Sequence, residues 1–182
     1  MDLIKELIIA IIILTIVIIF LITRIIINNC NIYDIKINKA KQNLKKELNK
    51  KFDVLLKVID FLRNNVVLNE DPLYEFLNTN LKKVSLEELN NIIIDTDLII
   101  GEYFEKNEKL INDESMKEIN KELNELNIEI ISTTKYYNKI ATEYNNYIKR
   151  FPNNLIAKIS KRKSLDKLKE VSKNKLKIDN ND

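Results

Sequence analysis

The sequence predicts an all-α protein: an N-terminal transmembrane helix followed by an antiparallel up-down four-helix bundle. Three observations predict it. Met116 to Phe151 is a run of 36 residues without Gly or Pro, with large apolar side chains at Met116, Ile119, Leu123, Leu126, Ile130, Tyr137, Tyr144, Ile148 and Phe151 and with Thr133 and Ala141 in the gaps. Steps of three and four make one apolar stripe along a helix about 54 Å long, and such a stripe must be covered by other helices. Near the N-terminus, Leu7 to Thr23 carries no charge and is dominated by Ile. Finally, the chain has one Gly and two Pro, too few for the tight turns of a sandwich or barrel.

Taken in order, residues 1–6 form a short extracytoplasmic N-terminus and residues 7–27 the membrane span. Arg24 interrupts the apolar run before Ile25, Ile26 and Ile27 continue it. The span is about 31 Å long as a helix, enough to cross a bilayer with Arg24 snorkelling to the interface. A cleaved signal peptide would need a basic start and a small-residue cleavage site. Here Asp2 and Glu6 oppose Lys5, and no such site follows, so the reading is an uncleaved anchor. Lys5 alone precedes the span, whereas Arg24, Lys36, Lys39, Lys41, Lys45 and Lys46 follow it. Basic residues stay in the cytoplasm, which puts the N-terminus outside and the rest of the chain inside. Cys30 follows Ile27-Asn28-Asn29, which is no lipoprotein motif, and reads as an inert juxtamembrane thiol.

The bundle domain is expected over residues 32–157. Its first seam reads Ile37, Ala40, Leu44, Leu48, Phe52, Leu55, Ile59, Leu62 and Val66. Asp71-Pro72 suits a helix start, Asp as N-cap and Pro at the first position, for a short helix to about Val84. Ser85 with Glu88 forms a capping box for a third helix whose seam is Leu86, Leu89, Ile93, Asp97, Ile100 and Phe104. Asp97 is read as an edge residue, with Thr96 turned inward. Gly101 inside this helix costs roughly 1 kcal/mol against Ala. Asn112, Asp113 and Glu114 form a turn, Ser115 with Glu118 caps the last helix, and Pro152 ends it.

The last helix carries more than a seam. Tyr137-Asn138 recurs seven residues later as Tyr144-Asn145, and the helix runs into Phe151-Pro152-Asn153-Asn154-Leu155-Ile156-Ala157. This resembles the C-terminal signature of the bacterial LemA family, a YN…YN…FPxNLxA pattern. Tyr137, Asn138, Tyr144, Asn145, Phe151, Pro152, Asn154, Leu155 and Ala157 match it in order and spacing. Lys50-Lys51-Phe52-Asp53 is similar to the family's basic-basic-aromatic-Asp segment, with Ala40 and Leu48 also aligned. Leu55-Leu56-Lys57 departs from the family's Ile-Pro-Asn, and Lys41 stands where the family has Trp. After Ala157 the basic tail replaces the family's aromatic segment, so the resemblance is expected to stop there. It implies a single-pass protein with this same membrane layout and supplies no molecular function.

Charge is segregated along the chain. Ile32–Val66 has nine basic and four acidic residues, Val67–Thr134 six and sixteen, and Lys135–Asp182 thirteen and five. Basic ends thus flank an acidic middle, a pattern relevant to surfaces and partners. The tail, residues 158–182, is expected to be disordered. Lys158, Lys161, Arg162, Lys163, Lys167 and Lys169 are its candidate contacts with an anionic lipid surface.

No His, one Cys and one Gly exclude catalytic triads, Cys/His metal sites, phosphate loops and dinucleotide turns. No catalytic, cofactor or metal site is expected, nor a nucleic-acid partner or small-molecule substrate. The function read from these features is a membrane-anchored scaffold or interaction module with an unidentified protein partner. The alternative is a membrane-remodelling or lipid-surface protein. Coiled-coil oligomerisation is a third reading.

Overall fold

The computed structural model describes residues 2–110 and 112–170, Asp2 and Glu108 by their backbone only. Among them are five α-helices and no strand: α1 Asp2–Asn65, α2 Tyr74–Leu77, α3 Leu86–Lys106, α4 Glu114–Lys149 and α5 Asn153–Ile159. Two 3₁₀ turns, Asp71–Leu73 and Glu108–Leu110, precede α2 and α4. The apolar N-terminal stretch and the first seam are one unbroken helix, with neither Gly nor Pro to interrupt it.

The helix starts follow the sequence at one place and depart from it at two. At α3 the Glu88 N–H donates to Ser85 Oγ at 3.2 Å, and the Ser85 N–H donates to Glu88 Oε2 at 3.5 Å, completing the expected capping box. At α4 the expected box at Ser115 is absent, because Asp113 takes the capping role. Its Oδ1 accepts the Ser115 N–H at 2.9 Å and the Ser115 hydroxyl as well. These two donors hold the Asp113 carboxyl below its usual value. The helix expected from Asp71 to Val84 is also shorter. It opens as a 3₁₀ turn, with the Asp71 N–H held by Asn69 Oδ1 at 3.1 Å, and ends at Leu77. Asn78 Nδ2 and Thr79 Oγ1 donate to the Tyr74 and Glu75 carbonyls (2.9 and 2.6 Å), and Asn80 Oδ1 accepts the Lys82 N–H. Short polar side chains here offer the backbone alternatives to helix.

The chain divides into two compact units. One takes in α1 to Asn38 and Lys139–Asp166; the other takes in Lys39–Asn138 and the chain from Lys167. The second holds most of the core. Leu44, Leu48, Leu55, Val58, Ile59 and Leu62 of α1 are buried there, with Leu73, Phe76, Leu89, Ile93, Ile100, Met116 and Ile130. Phe52 and Phe76 stack with ring centroids 4.2 Å apart. Each such side chain contributes about 1.5–3 kcal/mol by leaving water. On α4, Thr134 is buried and fills the gap expected for Thr133. A Cβ at Gly101 would meet nothing within 4 Å, so packing does not require that glycine.

The first unit contains the apolar stretch. Every large apolar side chain from Leu3 to Ile22 is 42–80% exposed, and burial begins at Ile26. Beyond it, Ile26, Cys30, Ile37, Ile140, Ala141, Tyr144, Ile148 and Ala157 are buried.

Candidate functional site

The two Tyr-Asn pairs of α4 place buried tyrosines beside asparagines that hold a non-helical segment. Tyr137 and Tyr144 are each 4% exposed. In the second unit, Asn138 Oδ1 accepts the Leu168 N–H and its Nδ2 donates to the Leu168 carbonyl, both at 2.9 Å. In the first unit, Asn145 does the same to Leu165, both at 2.8 Å. Asparagine has a donor and an acceptor on one short side chain, so each amide stands in for the neighbouring strand that this non-helical backbone lacks. In the second unit, Asn90 of α3, fully buried, donates to the Lys169 carbonyl at 3.1 Å. Leu168 is buried, whereas Lys167 and Lys169 face solvent.

The described part of the tail therefore differs from the disordered run expected from residue 158. It contains the end of α5 and this bracketed segment, and only residues 171–182 of the expectation lie outside the described residues. Side-chain amides paired the backbone, a partnership that composition does not reveal. Of the basic residues expected to face lipid, Lys158, Lys161, Lys163, Lys167 and Lys169 are exposed. Arg162 is otherwise engaged: it donates to Asp34 Oδ2 at 2.7 Å and to Asn31 Oδ1 at 2.9 Å.

Around that ion pair the first unit joins α1 to the end of α4. Asn29 Nδ2 donates to the Tyr147 hydroxyl at 3.1 Å, and the Tyr33 ring lies 5.5 Å from Tyr147 and 5.9 Å edge-on from Tyr144. Cys30 is 1% exposed; burial pushes its thiol up, Arg162 pulls it back and Asp34 adds to the rise. Burial of this kind disfavours the thiolate. Past Ile148 the seam stops. Asn153 Nδ2 caps the Tyr147 carbonyl at 2.9 Å, and Phe151, expected as the last seam residue, is 81% exposed because α4 ends at Lys149. The Phe151–Pro152 peptide is cis. Of the remaining signature residues, Ala157 is buried, Pro152 is half-buried, and Asn154 and Leu155 are exposed.

The second unit also contains a buried polar centre. Lys51 of α1 is fully buried, and its Nζ donates to Asp97 of α3 and to Asn127 Oδ1 of α4, the latter at 2.6 Å. The Asp97 side chain is 11% exposed, so it is not the edge residue expected; Thr96 beside it is buried as expected. Burial raises the Asp97 carboxyl above its usual value and Lys51 partly offsets that. The sequence carried a signal for this centre. Leu44, Leu48, Lys51, Leu55, Val58 and Leu62 step by four, three, four, three and four, which seats Lys51 mid-stripe. Lys51 and Asp97 line neither the depression beside Tyr74 and Glu88 nor the one beside Asn43 and Glu129. The three polar groups satisfy one another and tie three helices together.

The sequence was compared with known families, and the model of the LemA family matches residues 40–179. The chain belongs to the LemA family. No curated protein and no solved structure matches it. The LemA match takes in Lys51, Asp97, Asn127, both Tyr-Asn pairs and the Phe-Pro signature. It also continues past Ala157, where the resemblance was expected to stop, and so covers the bracketed segment. It leaves out the apolar half of α1.

Proposed function

We propose that this LemA-family chain is a single-pass membrane-anchored scaffold that works by binding partners rather than by catalysis. Residues 7–27 cross the bilayer, the N-terminus lies outside, and the remaining helices form an antiparallel up-down bundle in the cytoplasm. One observation carries the reading. Along the single helix α1, large apolar side chains change from 42–80% exposed before Ile26 to a fully buried seam beyond Ala40. An exposed apolar surface of that extent calls for lipid, and the buried seam calls for neighbouring helices. The excess of Lys and Arg after the span supports the orientation. The self-satisfied Lys51 centre supports a structural use of the buried charges.

Purifying the intact chain from mild detergent tests the binding role. A protein that co-purifies at fixed stoichiometry is expected. Its absence, together with tight binding to anionic lipid, would favour the lipid-surface alternative.

A further inference from the structure

The corner between α4 and α5 leaves three large apolar side chains in the open: Phe151 at 81% exposure, Leu155 at 52% and Ile159 at 78%. They follow at intervals of four, and on α5 they share a face with Asn154 and Lys158, opposite the buried Ala157. Scattered exposed apolar residues need no explanation, but a contiguous stripe does.

The contacts of the first unit fix the level of this stripe. Tyr144 meets Tyr33, and Tyr147 meets both Tyr33 and Asn29, so α4 runs antiparallel to α1 here. α4 continues past Tyr147 to Lys149, about 3 Å nearer the N-terminal end of α1, and Phe151 follows in the turn. Four residues back from Asn29 is Ile25, inside the apolar span. The chain then turns back through a left-handed Lys161 (φ 54°), with the Arg162 N–H on the Ala157 carbonyl at 2.9 Å, and Arg162 returns to Asn31 and Asp34. The corner is therefore pinned beside the end of the apolar span. From Tyr144 to Leu165 there are six basic residues, Lys149, Arg150, Lys158, Lys161, Arg162 and Lys163, and no acidic one.

We infer that this corner is a second membrane contact: Phe151, Leu155 and Ile159 enter the boundary between headgroups and acyl chains, in the leaflet that α1 leaves. Arg150, Lys158 and Lys161 meet anionic lipid phosphates. The inference rests on the anchor reading above. It takes the bilayer as occupant because the corner lies at the level where the apolar surface of α1 ends and because residues 144–165 carry only basic charges. Amphipathic elements of this kind sit about 5–10 Å into the interface. Inserting the corner fixes the tilt of the anchor and holds the rest of the first unit against the membrane.

The chain has no Trp, so a single introduced tryptophan reports its own surroundings. Three full-length variants, Leu155→Trp, Lys139→Trp on the exposed face of α4 and Ile16→Trp within the span, are reconstituted into vesicles containing anionic lipid, and each is quenched by brominated lipids and by aqueous iodide. L155W should emit to the blue of K139W, lose most of its emission to shallow bromine and resist iodide. K139W should do the reverse, and I16W should respond to deep bromine. If I16W responds to bromine while L155W is quenched by iodide as K139W is, the corner inference fails and the anchor stands. If I16W also ignores bromine, the anchor reading fails with it. Protection of L155W from both quenchers assigns the stripe to a second copy or another protein and overturns the lipid assignment.

Discussion

Asp97→Ala should lower the unfolding free energy of the intact chain by about 3–5 kcal/mol, because it leaves the Lys51 ammonium buried without its counter-charge. Lys51 is fully buried and its other acceptor is the neutral Asn127 amide. Asp97→Asn should recover only part of the loss: an amide oxygen can still accept from Lys51, but the charge stays uncompensated. The double replacement Lys51→Met with Asp97→Leu should come close to wild type. Replacing a buried ion pair by well-packed apolar side chains of similar volume is often neutral or stabilising, because both desolvation costs go with the charges. Denaturant unfolding of the four proteins in detergent decides it. A loss below about 1 kcal/mol for D97A is what a solvated surface pair would give, and would place Lys51 outside the core.

Asn138→Asp should release the segment around Leu168 and cost about 3 kcal/mol, since a buried acceptor is left unpaired against a new charge. Asn138 is 8% exposed; its Nδ2 serves the Leu168 carbonyl and also lies 3.3 Å from Glu170 Oε1. A carboxylate there would face one carbonyl and one carboxylate with no proton to offer either. The Leu168 amide should then exchange with solvent far faster than in wild type. Asn145→Asp should have a smaller effect, because Asn145 is only half-buried. Unchanged exchange at Leu168 in N138D would mean that the bracket does not hold the segment.

The helices were legible because their apolar spacing is nearly faultless. Leu44, Leu48, Leu55, Ile59 and Leu62 are buried as their register requires, and Ser85 with Glu88 caps α3 as the sequence indicates. What could not be read depended on side chains that hydrogen-bond backbone far away in sequence. Asn138 and Asn145 stood out as a repeat, yet the repeat does not say what the amides hold. Leu165 and Leu168 looked like part of a solvated lysine-rich tail until those amides paired their backbone. Asp97 was read as an edge residue and Lys51 only as part of the basic-basic-aromatic-Asp segment, and only their mutual contact explains the burial of both. Phe151 was assigned to the seam by periodicity, but α4 ends two residues earlier, at Lys149, and the ring is exposed. Competition between local side chains decided the smaller errors, Asp113 over Ser115 at α4 and Asn78 with Thr79 at the end of α2.

Protease treatment of spheroplasts from a bacterial host expressing the intact chain with a C-terminal tag, followed by alkaline carbonate extraction of their membranes, tests the anchored layout most directly. The chain should stay in the membrane pellet, and its tag should survive external protease until the membrane is opened by detergent. Release of the chain into the carbonate supernatant would contradict an anchor at residues 7–27. Digestion of the tag from outside would place the helical domain on the other side of the membrane.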